Sequence, residues 1–198
     1  MTIGKVIRDV KPFVDEVILV DDASNDKTPD IAKQEGAVVL SHPSNAGYDK
    51  SIDDGFALAA ARGAEIIFTF DADGQHNSED IPKILGPIIE GQADVVVGCR
   101  PYRARFTESL FAVFSRRSVG IEDPLCGFKA YRTEVYKDIG YFDRKKSIGT
   151  ELMFKAGKKG YRIVQKNISL NRRADTPRFG RRLKANWKIF QAILKTEF

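Results

Sequence analysis

Two pairs of acids stand where short apolar runs give way to polar residues. Asp71 and Asp73 flank Ala72 after the run 66–70, and Asp21 and Asp22 follow the run 17–20. Side chains two residues apart on an extended backbone point to the same side. Asp71 and Asp73 can therefore share one divalent cation, with Gln75 as a third candidate ligand. Hard oxygen donors suit Mg²⁺ or Mn²⁺, which complete their shells with water and substrate phosphates. A calcium loop opens with the same spacing but needs Asp or Asn where Gln75 stands, so that reading fails. The segment 21–28, DDASNDKT, offers carboxylates that can accept hydrogen bonds from a base or ribose, as acids do in dinucleotide-binding folds. Its bland alternative is an Asx-rich turn capping the next helix.

The elements that must position these acids alternate along the first half. Residues 2–10 form an amphipathic helical pattern, with Ile3, Val6, Ile7 and Val10 on one face. Strands are predicted at 17–20, 37–40, 66–70 and 95–97. Helices are predicted at 28–35, 48–62 and 78–90, the last with Ser78 as N-cap. Helices between short apolar strands predict an α/β fold with a mostly parallel central sheet flanked by helices. Ligands in such sheets bind at the carboxyl ends of strands, where both acid clusters fall.

The second half is less regular. Helices are expected at 106–118, 134–139 and 151–159, and short strands at 162–164 and 168–170, with a strand or turn at 125–131. Residues 172–182 are basic, and 183–194 read as an amphipathic helix carrying Trp187, Ile189, Phe190, Ile193 and Leu194. The division expected is a catalytic domain over 1–170 and a basic segment with its helix over 171–198.

Composition sets the class. The 198 residues suit one domain, and 42% hydrophobic with 30% charged residues describes a globular chain. Only Cys99 and Cys126 occur, too few for a disulfide framework or a CxxC metal site. No signal peptide and no run of about 18 apolar residues is seen. Charge is uneven: residues 1–99 hold 8 Lys/Arg against 18 Asp/Glu, and residues 100–198 hold 24 against 9. An anionic partner for the basic half is the expectation. Scattered basic residues without an RNA or DNA motif argue against nucleic acid.

Five ordered segments resemble family-2 glycosyltransferases. Residues 21–28 resemble the DDGSxDxT motif, Asn45-Ala46-Gly47 the N-x-G loop, and residues 71–76 the DADGQH signature. Residues 94–100 resemble the D-V-V-x-G-S-R strand, and 123–129 the D-x-x-CGF-K/R segment. Glu151 sits where the family often opens a helix with Glu. The sequence looks closest to the dolichol-phosphate mannose or polyprenyl-phosphate glucose synthase branch. The resemblance implies a GT-A fold and an inverting transfer of mannose or glucose from GDP-mannose or UDP-glucose to a polyprenyl or dolichyl phosphate.

The same resemblance assigns roles. Asp21, Asp22, Ser24, Asn45, Gly47, Asp71 and Ala72 would bind the nucleotide, and Asp73 would hold the metal at the diphosphate. Arg100, Arg172, Arg173 and Arg178 are candidates for the acceptor phosphate, because guanidinium forks suit it. A lipid phosphate is already anionic and needs little general-base help. A hydroxyl acceptor would require a base, with Asp123 or Glu151 as candidates. The basic segment and last helix suit an anionic membrane surface, hence peripheral attachment at the cytoplasmic face. Two departures stand out. Members usually begin with a strand and a P-x-Y-N-E loop ahead of the helix at 2–10, where this sequence opens. Asp49-Lys50 follow Gly47-Tyr48, where the family often has a second glycine. A weakly active or inactive sugar-nucleotide- or lipid-binding module of the same fold is the alternative.

Overall fold

The computed structural model describes residues 3–102, 106–145 and 147–171. Helix α1 (Ile3–Val10) buries Val6, Ile7 and Val10, the stripe its periodicity predicts. Strand β1 (Ile18–Asp21) pairs in parallel with β2 (Val38–Ser41), and α2 (Thr28–Gln34) crosses between them. Helix α3 (Tyr48–Ala61) packs across both β1 and β3 (Ile66–Thr69).

The larger sheet runs β3, β5 (Lys129–Arg132), β4 (Val95–Cys99), β6 (Ile163–Asn167). Strand β5 is antiparallel to both neighbours, and β4 is parallel to β6. The sheet is therefore mixed, with β5 the reversed strand. Among the described residues β1 and β3 each pair on one side only. Helix α4 (Ile81–Ile89) covers one face of the larger sheet. The other face is covered by α3, α5 (Phe106–Val119), α6 (Thr133–Ile139) and α7 (Glu151–Lys158).

The strand period sorts the core. Val95, Val97 and Tyr131 pack with Phe56, Phe111, Phe142, Leu152 and Met153. Val96, Phe128 and Ala130 pack on the opposite face with Val6, Val10, Ile81, Ile84 and Ile88. A strand buried on both faces needs an unbroken apolar run, which is why 95–97 reads VVV.

Some boundaries move. Asp21 lies inside β1 rather than after it. Residues 78–90 divide into a 3-10 turn (Ser78–Asp80) and α4, and the N-cap is Asn77, whose side chain accepts from Glu79 N–H. The strand expected within 125–131 is β5, displaced to Lys129–Arg132. Of the two short strands expected at 162–164 and 168–170, the first is β6 (Ile163–Asn167) and the second is reduced to an isolated bridge of His76 to Leu170. The helix expected at 183–194 lies outside the described residues. No helix among the described residues is long and apolar enough to cross a membrane.

Candidate active site

The loop after β3 carries the metal-site candidates. Asp71 is half-exposed, and its Oδ2 lies 3.2 Å from Nε2 of buried His76. The imidazole is wedged against Phe70 and Phe128, with ring centroids 5.5 and 5.4 Å away. Nε2 donates to the Asp71 carboxylate; Nδ1 is buried without a partner among the described residues. Burial pulls the Asp71 carboxyl upward, but the His76 bond and the charges of His76, Lys129 and Arg100 outweigh it and leave it below its ordinary range. Asp73 Oδ1 accepts the Gln75 N–H at 3.0 Å, closing the turn. Gln75 itself is anchored through its carbonyl, which accepts Asn171 N–H at 2.8 Å. Ala72 is exposed at the tip.

The Asp71 carboxylate rests directly on Gly127. A Cβ there would sit 2.3 Å from Asp71 Oδ2 and 2.8 Å from its Cγ. The glycine is required by this close approach, since any side chain would fill the place of the carboxylate. Asp71 is thus fixed from two directions, by His76 and by the backbone of the segment leading into β5.

The donor set fits a divalent cation of the Mg²⁺ or Mn²⁺ kind. No group of three His, Cys, Asp or Glu side chains capable of holding a metal exists among the described residues. Two acids and the Gln75 amide fall short of a closed cage. They match ions that keep water and substrate phosphates in their shell.

The second acid cluster is held in place by histidine and backbone donors. Asp22 Oδ1 accepts Ala46 N–H at 2.6 Å and contacts His42 Nδ1 at 2.9 Å; Oδ2 accepts Gly47 N–H at 2.9 Å. His42 Nε2 reaches Asp54 Oδ2 at 3.0 Å. Burial tends to raise the Asp22 carboxyl, but His42, Ala46 and Gly47 hold it below its ordinary range. The Asp22 hydrogen bond lifts His42 above its ordinary value; burial opposes this and Asp54 adds to it. Asp22 therefore shapes the 45–47 wall. Gly47 has φ +91° and ψ 165° and caps α3, a conformation that only glycine adopts without strain. Asp21 Oδ1 accepts Ser24 N–H at 3.3 Å, and Asn45 is exposed. The wall leads into Tyr48, which lies within electrostatic reach of Asp71.

The two candidate bases are both committed to the structure. Asp123 is buried and accepts Arg100 Nε at 2.7 Å, Arg100 Nη2 at 2.8 Å and Arg100 N–H at 3.1 Å. Arg100 also reaches Glu108 at 3.2 Å. Glu151, buried at the start of α7, accepts Tyr141 Oη at 3.1 Å, the backbone N–H groups of Arg144 and Lys145 at 2.8 and 2.9 Å, and Lys155 Nζ at 3.2 Å. Arg172, Arg173 and Arg178 lie outside the described residues.

Several site groups were not singled out from sequence. His42 and Asp54 complete the Asp22 cluster. Asp143 accepts the N–H groups of Ser147 and Gly149. Asp49, the family departure, accepts Gly149 N–H at 3.1 Å. Gly127 and Lys129 lie within the CGFK segment, which was the available signal.

Comparisons with known proteins bear on the family and the fold. Glycosyl transferase family 2 matches residues 2–113. An uncharacterised protein of Methanocaldococcus jannaschii is 37% identical over 99 residues, 50% of this chain and 41% of that one. The dolichyl-phosphate hexose transferase of Haloferax volcanii is 31% identical over 185 residues, 87% of this chain and 78% of that one. Glucosyl-3-phosphoglycerate synthase of Mycobacterium tuberculosis, crystallised with Mn²⁺, uridine diphosphate and glucosyl-3-phosphoglycerate, superposes with a TM-score of 0.74. Its identity is 20%, over 98% of this chain and 75% of that one. The fold shared with this neighbour is GT-A, and the family match spans both the 45–47 wall and the loop after β3: the chain belongs to glycosyl transferase family 2.

Proposed function

We propose that this chain transfers a hexose, mannose or glucose, from a nucleotide-diphosphate sugar to a polyprenyl or dolichyl phosphate, inverting the anomeric carbon. One observation carries the choice of acceptor. Asp123 and Glu151, the carboxylates that could take a proton from a hydroxyl, are buried and engaged by three and four donors. A base must reach the proton it removes. A lipid phosphate brings its own negative oxygen, so positioning suffices. The name of the Haloferax volcanii relative is consistent with such an acceptor.

In this reading Asp71 and Asp73, with Gln75, hold a divalent cation. That ion supplies charge neutralisation at the departing diphosphate. His76 and Gly127 keep Asp71 in one orientation. Asp22 and Asp21 support the wall on which Ser24, Asn45 and Gly47 meet the nucleotide. Arg100 secures Asp123, while Arg172, Arg173 and Arg178 are the candidates for the acceptor phosphate. Residues 171–198 are the segment proposed to lie on the cytoplasmic face of an anionic membrane.

The test is transfer by purified protein with Mg²⁺ or Mn²⁺, radiolabelled GDP-mannose or UDP-glucose, and a polyprenyl phosphate. Label should enter the lipid and disappear with chelator or with Asp73→Ala. Transfer to 3-phosphoglycerate but not to lipid phosphate overturns the acceptor. Sugar-nucleotide binding without any turnover favours the binding-module alternative.

A further inference from the structure

Lys129 is a buried cation whose partners do not add up. It is 3% exposed, and its ammonium carries three N–H donors. Among the described residues its Nζ meets one acceptor, the carbonyl of Gly149 at 3.0 Å, and no carboxylate lies within ion-pair distance. Arg100 shows the contrast: that guanidinium, also largely buried, has both Asp123 and Glu108. Burying a cation with one neutral acceptor is costly, and such groups are ordinarily paired or neutralised.

Its position tells what would pair it. Lys129 sits opposite Thr69 in the β3–β5 ladder, and Thr69 Oγ1 bonds to the Gly127 carbonyl and the Lys129 N–H. Gly127 lies two residues before Lys129, and the Asp71 carboxylate packs against it. Asp71 and Lys129 are within electrostatic reach of each other. The ammonium therefore borders the place where substrate phosphates would meet Asp71.

The residue before the group now covering it is strained, while Gly149 itself tolerates its positive φ. Ile148 has φ +59° and Gly149 φ +67°, and a β-branched residue in the left-handed region is a genuine outlier. Such strain concentrates at ligand clamps and switching segments. The Gly149 peptide is retained by Asp49 and Asp143 on its N–H side and by Lys129 on its carbonyl.

We propose that Lys129 is an anion-binding side chain that takes a phosphate oxygen of a substrate in exchange for the Gly149 carbonyl. This rests on the reading that substrates of this site carry phosphate; donor diphosphate and acceptor phosphate share that chemistry. The rival role is a structural peg for residues 147–150.

The two roles separate in Lys129→Met and Lys129→Arg. Thermal unfolding is followed with chelator present, without anion and with inorganic pyrophosphate or inorganic phosphate. The wild type should gain several degrees with anion. Lys129→Met should melt no lower than the wild type without anion, because a desolvated cation is gone, yet lose that gain. Lys129→Arg should keep part of it. In turnover, a KM raised about tenfold or more in Lys129→Met for the sugar nucleotide alone assigns the donor diphosphate, and for the lipid phosphate alone the acceptor. A Lys129→Met protein that melts several degrees lower and keeps the full anion gain makes Lys129 a peg and overturns the proposal. A wild type that turns over but gains nothing from either anion also overturns it, leaving the proposed reaction standing. Anion binding through Lys129 with no transfer to lipid phosphate has the opposite meaning.

Discussion

Gly127→Ala is the sharpest perturbation available, because it adds one methyl group against Asp71, the proposed metal ligand, and changes no charge. The backbone of Gly127 is outside the left-handed region, so alanine fits its torsions. The methyl carbon would stand 2.3 Å from Asp71 Oδ2, 2.8 Å from Cγ and 2.9 Å from Oδ1. Side-chain carbons do not approach other atoms closer than 3.0 Å, so the carboxylate must retreat by about 0.7 Å or more. Asp71 can do this by leaving its rotamer, at roughly 1 kcal/mol, and by weakening its bond to His76. The fold should survive: about 1–2 kcal/mol, or a melting temperature lower by roughly 2–8 °C in a chain of this size. Activity should not survive to the same degree. Displacing a reacting or positioning group by about 1 Å costs on the order of 10²-fold. The assay is steady-state transfer alongside calorimetric Mn²⁺ titration and thermal unfolding. Loss of about 10²-fold in kcat with weakened Mn²⁺ binding, in a protein that still unfolds cooperatively, is the expected result. Gly127→Ala with wild-type turnover and metal affinity would refute the claim that this contact aims Asp71.

Three further outcomes are expected. Glu151→Gln should keep transfer within about tenfold of wild type, since loss of a general base ordinarily costs 10²–10⁴-fold; a thousandfold fall, by initial rates, restores Glu151 as a base and a hydroxyl as acceptor. Asp123→Ala leaves the Arg100 guanidinium without its bidentate partner and should cost about 3 kcal/mol in urea unfolding; a cost under about 1 kcal/mol contradicts the pairing. For the Asp22–His42–Asp54 cluster the signs run opposite ways. His42 is held above its ordinary 6.5, so its contribution is full below about pH 6.5 and fades as pH rises through the raised value. Asp22 is held below its ordinary 3.8, so its contribution is full above about pH 4 and fades on acidification. The melting-temperature difference between wild type and His42→Gln should therefore be largest between about pH 4 and 6.5 and shrink by pH 9. A difference constant from pH 5 to 9 would show that His42 acts without its charge.

What could be read from the sequence followed from local pattern. The apolar runs before Asp21 and Asp71 and the glycine stops set the parallel α/β frame. The acids after those runs marked the site, because strand ends are where such folds bind ligands. The failures occur where a neighbour distant in the chain decides the outcome. Strand β5 carries Lys129 in a buried position, a residue type that reads as solvent-facing, so the run 125–131 blurred between strand and turn. Among the described residues β6 pairs on one side only, which tolerates Gln165, Lys166 and Asn167, and their polarity made the strand read as ending at 164 although it runs to Asn167.

The same limit governs the chemistry. A carboxylate near a site reads as a base, and Asp123 and Glu151 both did. Whether it can act as one depends on the donors around it, and half of those on Glu151 are backbone N–H groups of Arg144 and Lys145, which have no residue-type signature. Asp22 adds what its residue type could not show: its oxygens also accept the backbone N–H groups of Ala46 and Gly47, 24 and 25 residues away. Residue types name the groups able to do chemistry; their hydrogen-bond partners decide which remain available for it. Here that distinction favours the proposed phosphate acceptor over a hydroxyl that needs a base, and Glu151→Gln is the substitution on which the two acceptors part.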